Sequence, residues 1–235
     1  MNAITPITKE VHGTFKLASD TRYPQVKTEH LLPVVVHEFT ALALEYAIVF
    51  VKNAETGAFQ SVLLSGLNTG QNLYFSEQGW QADAVPLVVR NYPLLLIQDP
   101  NDEQQLLVGV NESSTLLNAS EGDALFDADG NETNFLQQRK QKLADFLKFT
   151  QVTAAFITSL TELDLLVPQK LTVTVQQNKQ ELNGLYLLDE DKLNALDTDS
   201  FSSLRQRGFL APIYAHLMSL RNIERLVKKA AKQGE

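Results

Sequence analysis

The chain has 235 residues, 44% of them apolar, and a formal net charge of −8. That length suits one large domain, or one domain with a helical appendage, and it can bury a core without covalent staples. There is no cysteine, which excludes disulfides, thiolate metal sites and cysteine nucleophiles. The negative balance repels phosphate backbones and argues against nucleic-acid binding.

The opening Met1–Lys9 lacks a basic segment followed by an apolar one, and no apolar run approaches the roughly 20 residues of a membrane span. A cytoplasmic, soluble protein is expected, with signal-less export to the cell surface as the alternative. Met1–His30 is mixed and polar and reads as an irregular arm. Residues 31–235 read as a single α+β domain, of which 189–235 form a helical portion.

Leu31–Val36 is apolar and β-branched, and Phe39, Leu42 and Ala43 follow at helical spacing. Ala47–Lys52 and Gln60–Leu64 flank the turn residues Asn53–Gly57 and predict a hairpin. Leu73–Phe75 reads as a short strand closed by Glu77–Gly79. A short helix is expected from Pro86 to Arg90, stopped at Pro93. Leu94–Gln98 and Leu106–Val110 are strands around the Asp99–Asp102 turn.

Thr133–Leu166 is the longest helical segment. Its first half is one-sided, with Leu136, Leu143, Phe146 and Leu147 on a face, and Pro168 is expected to end it. Leu171–Val175 alternates apolar residues with threonine and predicts a strand that returns as Leu182–Leu187. Asp189 is expected to cap a helix, a second helix runs from about Asp199 to Gly208, and Ile213–Lys232 reads as one final helix with Leu217, Leu220, Ile223 and Val227 inward. Hairpins around a few helices predict an α+β fold with a mixed or antiparallel sheet, a long central helix and a C-terminal helical region.

The inventory of reactive groups is thin. Of His12, His30, His37 and His216, only His37-Glu38 begins a zinc-protease helix motif, and Ala41 stands where the second histidine belongs. Both His37 and His216 therefore read as packed or solvated side chains. Ser65-Gly66 lacks the glycine that precedes a nucleophile elbow. The Gly66–Gly70 loop continues into Gln71, so no lysine meets a phosphate.

Asp127, Asp129 and Asn131 have the spacing that opens a calcium loop, but Glu132 and Gln138 occupy the bend and the bidentate position. The alternative is a tight turn feeding the Thr133 helix start. Asn72, Trp80, Arg90 and Tyr92 lie in an aromatic, loop-rich segment that could line a ligand pocket, the alternative being core anchors with Arg90 lying over them. The basic residues Arg221, Arg225, Lys228, Lys229 and Lys232 suit the end of a helix through its dipole, with an anionic partner or membrane surface as the other reading.

A series of segments carries a resemblance. Glu45-Tyr46-Ala47-Ile48-Val49-Phe50 is similar to a Glu-Tyr-Pro-Ile-Val-Phe signature. Leu64-Ser65-Gly66-Leu67, Gly70–Tyr74, Gly79-Trp80, Val85-Pro86 and Arg90-Asn91-Tyr92-Pro93 follow in order. Leu125–Gly130, Leu163–Pro168 and Ile213–Leu220 complete it. Together they resemble the SapC-like family of soluble bacterial proteins, from about Leu31 to Leu226. That family is distinct from the peptide-transport permease of the same name. The sequence departs from the pattern at Ala47 for proline, Asn91 for arginine and Leu94 for an aromatic.

The resemblance implies association with a paracrystalline surface layer, from which the family takes its name. It also implies encoding beside outer-membrane receptors and halogenase-like proteins. It supplies no catalytic residues. The leading expectation is a binding or accessory protein without catalysis, working with a partner protein or transport system. A structural surface-layer protein and an enzyme with a cleft near Trp80 and Arg90 are the alternatives. No cofactor or metal is expected, and homo-oligomerisation is left open.

Overall fold

The computed structural model describes residues 4–99 and 101–233. Met1–Ala3 of the expected arm, Pro100 of the expected turn, and Gly234 and Glu235 of the helical portion lie outside the described residues. In chain order, β1 (Ile4–Pro6), α1 (Lys9–His12) and β2 (Lys16–Leu17) precede β3 (Leu31–Pro33) and α2 (Phe39–Leu42). The hairpins β4 (Ala47–Lys52)–β5 (Phe59–Leu64) and β6 (Phe75–Ser76)–β7 (Gly79–Trp80) follow, then α3 (Leu87–Asn91). Next come β8 (Leu94–Asp99), β9 (Asp102–Asn111), β10 (Leu117–Asn118), β11 (Asp123–Ala124) and the long helix α4 (Asn134–Glu162). The chain continues with β12 (Leu166–Val175), β13 (Asn178–Leu188), α5 (Glu190–Asn194), α6 (Thr198–Gln206), α7 (Leu210–Ser219) and α8 (Asn222–Gln233). The pairings of these strands are antiparallel, and the architecture is α+β as the hairpins predict.

The chain forms two compact units, one of residues 1–22 with Val89–Lys148 and one of Tyr23–Val88 with Phe149–Glu235. In the first, β1, β9 and β8 form a sheet in that order, and β2 lies between β10 and β11. Its core gathers Leu17, Leu94, Val110, Leu125, Phe126, Leu136 and Leu143. The stretch read as an irregular arm contributes β1, with Ile4 opposite Asn111 and Pro6 opposite Gly109. Three residues are too few to show a period, and the partner lies a hundred residues away, so nothing local announces this strand. The Thr133 hydroxyl accepts the Leu136 N–H at 3.3 Å and starts α4 as its sequence position suggests.

The second unit holds a five-stranded sheet in the order β12-β13-β4-β5-β3. β4 and β5 pair from Ala47 opposite Leu64 to Lys52 opposite Phe59. Pro33 and Pro168 fall in the two outer strands, where a missing N–H interrupts no inner ladder. The core of this unit is aromatic: Phe156 meets Phe39 at 6.0 Å and Phe209 at 5.3 Å, ring centre to ring centre. Phe39, Phe50, Phe156 and Phe209 are buried, each contributing roughly 1.5–3 kcal/mol of apolar transfer.

Two helix boundaries differ from the sequence reading. α4 stops at Glu162, short of Pro168: Asp164 turns left-handed at φ 51° and the Leu165 N–H bonds back to the Leu160 carbonyl. Pro168 then sits inside β12, opposite Tyr186. The expected continuous helix Ile213–Lys232 is instead α7 and α8, separated at Leu220 and Arg221. Polar side chains cause the break. Ser219 accepts the Ile48 N–H at 3.0 Å, and the Asn222 amide donates to the carbonyls of Ala43 at 2.7 Å and Tyr46 at 3.1 Å. Both residues are held against β4 and its lead-in, so the helix axis must change there. The buried face of α7 is accordingly Ile213, His216 and Ser219, with Leu217 and Leu220 only half-buried.

Candidate functional site

His216 is fully buried between two strands of the second unit. Its Nδ1 lies 2.9 Å from the Ile48 carbonyl, and its Nε2 accepts the Leu188 N–H at 3.1 Å. Because Leu188 must donate, the proton of the neutral ring sits on Nδ1 and is donated to Ile48. Burial lowers the imidazole pKa to about 4. Both partners are backbone groups, so the ring acts as a structural link. His37 is exposed and stacks on Phe149 at 4.1 Å. The neighbouring Glu38 is buried and accepts the N–H groups of Val35 at 3.3 Å and Leu87 at 2.6 Å. The Ser65 hydroxyl donates to the Glu29 carbonyl at 2.6 Å.

In the first unit His12 is buried, and its Nδ1 accepts the Thr8 N–H at 3.3 Å. Its Nε2 lies 3.7 Å from Glu112 Oε1, which also accepts the Thr5 hydroxyl at 2.7 Å.

The four expected ligand residues divide between the units: Asn72 and Trp80 belong to the second, Arg90 and Tyr92 to the first. Asn72 is buried, donates to the Val26 carbonyl at 2.8 Å and accepts the Tyr74 N–H at 2.9 Å. Arg90 is exposed on α3, and its carbonyl and that of Asn91 accept the Arg139 guanidinium at 3.2 and 2.9 Å. Tyr92 is half-buried.

Trp80 joins an aromatic group with Tyr23, Tyr46 and Tyr74, at ring distances of 6.5, 6.2 and 6.4 Å. The loop at Ala84 ties it together. Glu45 accepts the Ala84 N–H at 2.8 Å, while the Tyr46 hydroxyl and the Trp80 indole both donate to the Ala84 carbonyl. The Tyr74 hydroxyl donates to the Glu45 carbonyl at 2.8 Å, and the Lys229 ammonium lies 4.6 Å from the Tyr74 ring centre. Burial pushes both phenols well above the ordinary tyrosine pKa. The segments that carry the family resemblance, Glu45-Tyr46, Tyr74, Gly79-Trp80 and the lead-in to Val85-Pro86, thus converge on one loop.

Asp127 and Asn131 close a turn. The Asn131 N–H donates to the Asp127 carboxylate at 2.8 Å, and the Asp127 N–H donates to the Asn131 carbonyl at 2.9 Å. The first of these holds the Asp127 carboxyl below its usual range. The Lys9 ammonium donates to the Asp129 carbonyl at 3.1 Å, so a cation already lies at this loop. Among the described residues, no three His, Asp or Glu side chains converge as a metal would need.

The chain's apolar side chains left in solvent are not scattered evenly. Leu44, Tyr214 and Met218 are 73%, 43% and 67% exposed, and all three line one hollow of about 340 Å³ in the second unit, between α2 and α7. Ala43, Ala211 and Ala215 also line it, and Arg221 and Arg225 stand at its rim. Tyr214 also lines a second hollow of about 480 Å³, with Leu193, Leu196, Phe201 and Arg205 from α5 and α6 and the segments beside them. Sequence reading passed over this surface. Its signal is that Tyr214 and Met218 stand one turn apart on α7, on the side opposite Ile213 and His216. Singly exposed apolar side chains are ordinary on a protein surface, whereas these three are gathered in one hollow.

Among the described residues no helix is long and apolar enough to cross a membrane. The SapC family model matches residues 7–226. No curated protein and no solved structure matches. With nearly its whole length matched, and with the recurring segments meeting at the Ala84 loop, this chain belongs to the SapC family.

Proposed function

We propose that this SapC-family chain is a binding or accessory protein that works with a partner protein and carries out no chemistry of its own. The observation that supports the reading is the hollow lined by the exposed Leu44, Tyr214 and Met218. Three large apolar groups in solvent cost solubility, and a partner that covers them recovers roughly 25 cal/mol for each Å² removed from water. Tyrosine, methionine and arginine are also the side chains enriched where proteins meet.

The test is photo-crosslinking in the native host. A photoreactive amino acid replaces Met218, and in a control chain it replaces Val152, which is exposed elsewhere on the second unit. A single reproducible adduct at position 218, missing at 152, is the expected result. Identical adduct patterns at the two positions, or none at either, would sink the reading.

A further inference from the structure

The face around Tyr214 has a charge sign as well as an apolar character. The two hollows that meet at Tyr214 are lined by Arg205, Arg221 and Arg225, and neither lining includes an aspartate or glutamate. This holds on a chain whose net charge is −8. The charged side chains of the two linings therefore all have the sign opposite to the molecule's net charge. Arg225 is also placed: its Nη1 donates to the Leu44 carbonyl at 3.2 Å, which fixes the guanidinium at the rim beside the most exposed leucine. Arg221 is exposed one turn earlier on the same side.

From this geometry we infer that the Tyr214 face takes an acidic amphipathic helix of a partner protein, its apolar side seated among Leu44, Tyr214 and Met218 and its carboxylates meeting Arg221 and Arg225. This rests on the partner-binding reading above and names the chemistry of the occupant. Arginine forks donate two parallel hydrogen bonds to a carboxylate, and at the edge of an apolar groove those bonds are shielded from water. A helix presents apolar anchors at every third or fourth residue, which fits a groove between helices lined by Leu44, Met218 and alanines. A second copy of this chain is a poorer match: a twofold axis at Tyr214 would set arginine against arginine.

The experiment selects peptides of about 16 residues, roughly four helical turns, from a randomised display library against the full chain, with Met218→Glu as counter-target. The expected winners are net acidic, with Leu, Phe or Met at helical spacing. As synthetic peptides they should bind about tenfold more weakly to Met218→Glu and to Arg221→Glu/Arg225→Glu, and more weakly as salt rises. Circular dichroism must show both variants folded, which their exposed positions favour.

Winners that are neutral or basic, or indifferent to the arginine reversals, overturn the acidic assignment while leaving a docking face in place. A library that yields no binder sensitive to Met218→Glu overturns the docking face itself. Two control measurements cover other occupants. Sedimentation of the chain with vesicles of equimolar phosphatidylglycerol and phosphatidylcholine, if lost in Met218→Glu, would overturn the proposal in favour of a membrane. Sedimentation velocity showing a dimer that Met218→Glu dissociates would overturn it in favour of self-association.

Discussion

Ile48 and Leu188 would face each other across β4 and β13, and the His216 ring stands where their hydrogen bond would be. Leu185 pairs with Val51 and Tyr186 with Phe50, and the same register continued two residues further sets Leu188 opposite Ile48. The ladder does not continue. The ring receives the Leu188 N–H at one nitrogen and donates to the Ile48 carbonyl from the other. Ser219, one turn on, takes the Ile48 N–H. Helix α7 is thereby stitched into the sheet by side chains that replace a backbone pairing.

This link predicts a pH dependence of stability. The folded-state pKa of His216 is lowered from 6.5 to about 4. Between those values the unfolded chain binds a proton that the folded chain refuses. The stabilisation is therefore complete above pH 6.5 and is lost as pH falls toward 4, by on the order of 3 kcal/mol. His216→Phe removes the titration and leaves two buried backbone groups unpaired, at a cost of about 2–4 kcal/mol near neutrality. Urea titrations of both proteins should show the gap between them narrowing from about pH 7.5 to about pH 4.5. A constant gap refutes the link. Asp20, Asp127 and Asp197, whose carboxyls are held below 3.8, act in a lower window.

At the alkaline end the sign reverses. Tyr46 and Tyr74 ionise well above the usual tyrosine pKa because burial disfavours the phenolate. Stability they contribute is present below about pH 10 and is lost as pH rises past it. A spectrophotometric titration should show late phenolate absorbance that coincides with loss of the folded signal by circular dichroism. Tyr46→Phe/Tyr74→Phe should remove that late component; a late component that persists in the double variant would assign it elsewhere.

Glycines 66 and 208 offer a matched contrast. A methyl group on Gly66 would sit 1.9 Å from the Gln71 carbonyl oxygen, a backbone atom with no freedom to move aside. At Gly208 the space is open, but φ is +74°. Gly66→Ala should cost about 1–3 kcal/mol or more through forced displacement, and Gly208→Ala about 1–2 kcal/mol through the left-handed backbone. Gly208→Asn should recover part of the second loss, while Gly66→Asn should be worse than Gly66→Ala. Denaturation midpoints of the four variants decide it.

The core and the Tyr214 face should respond oppositely to truncation. Phe156 is fully buried against Phe39 and Phe209, so Phe156→Ala should lose about 3–5 kcal/mol. Leu44→Ser and Met218→Ser, at exposed positions, should change stability by no more than about 0.5 kcal/mol. A large loss at either would mean that these side chains support the fold, and the docking reading would fail with it.

The elements that could be read from residue order are those built from local chemistry. The β4–β5 hairpin follows from two apolar runs around Asn53–Gly57, and the caps at Thr133 and Asp189 follow from their side chains. What escaped was set by distant partners. β1 exists because Ile4–Pro6 finds Asn111–Gly109. The break between α7 and α8 exists because Ser219 and Asn222 find Ile48, Ala43 and Tyr46. Leu217 and Leu220, expected on the inner face, lie half-buried at its margin because His216 and Ser219 take the contacts with the sheet. Trp80 packs with Tyr46 and Tyr74, which come from segments that only the fold brings together.

The backbone of Ile48 is satisfied by side chains 168 and 171 positions downstream, and the second unit is assembled from Tyr23–Val88 and Phe149–Glu235. The residues of the first unit all precede Phe149. During vectorial synthesis β4 therefore emerges well before the β13 and α7 groups that complete its edge. Until β13 and α7 are released, that edge is open to pairing with other strands.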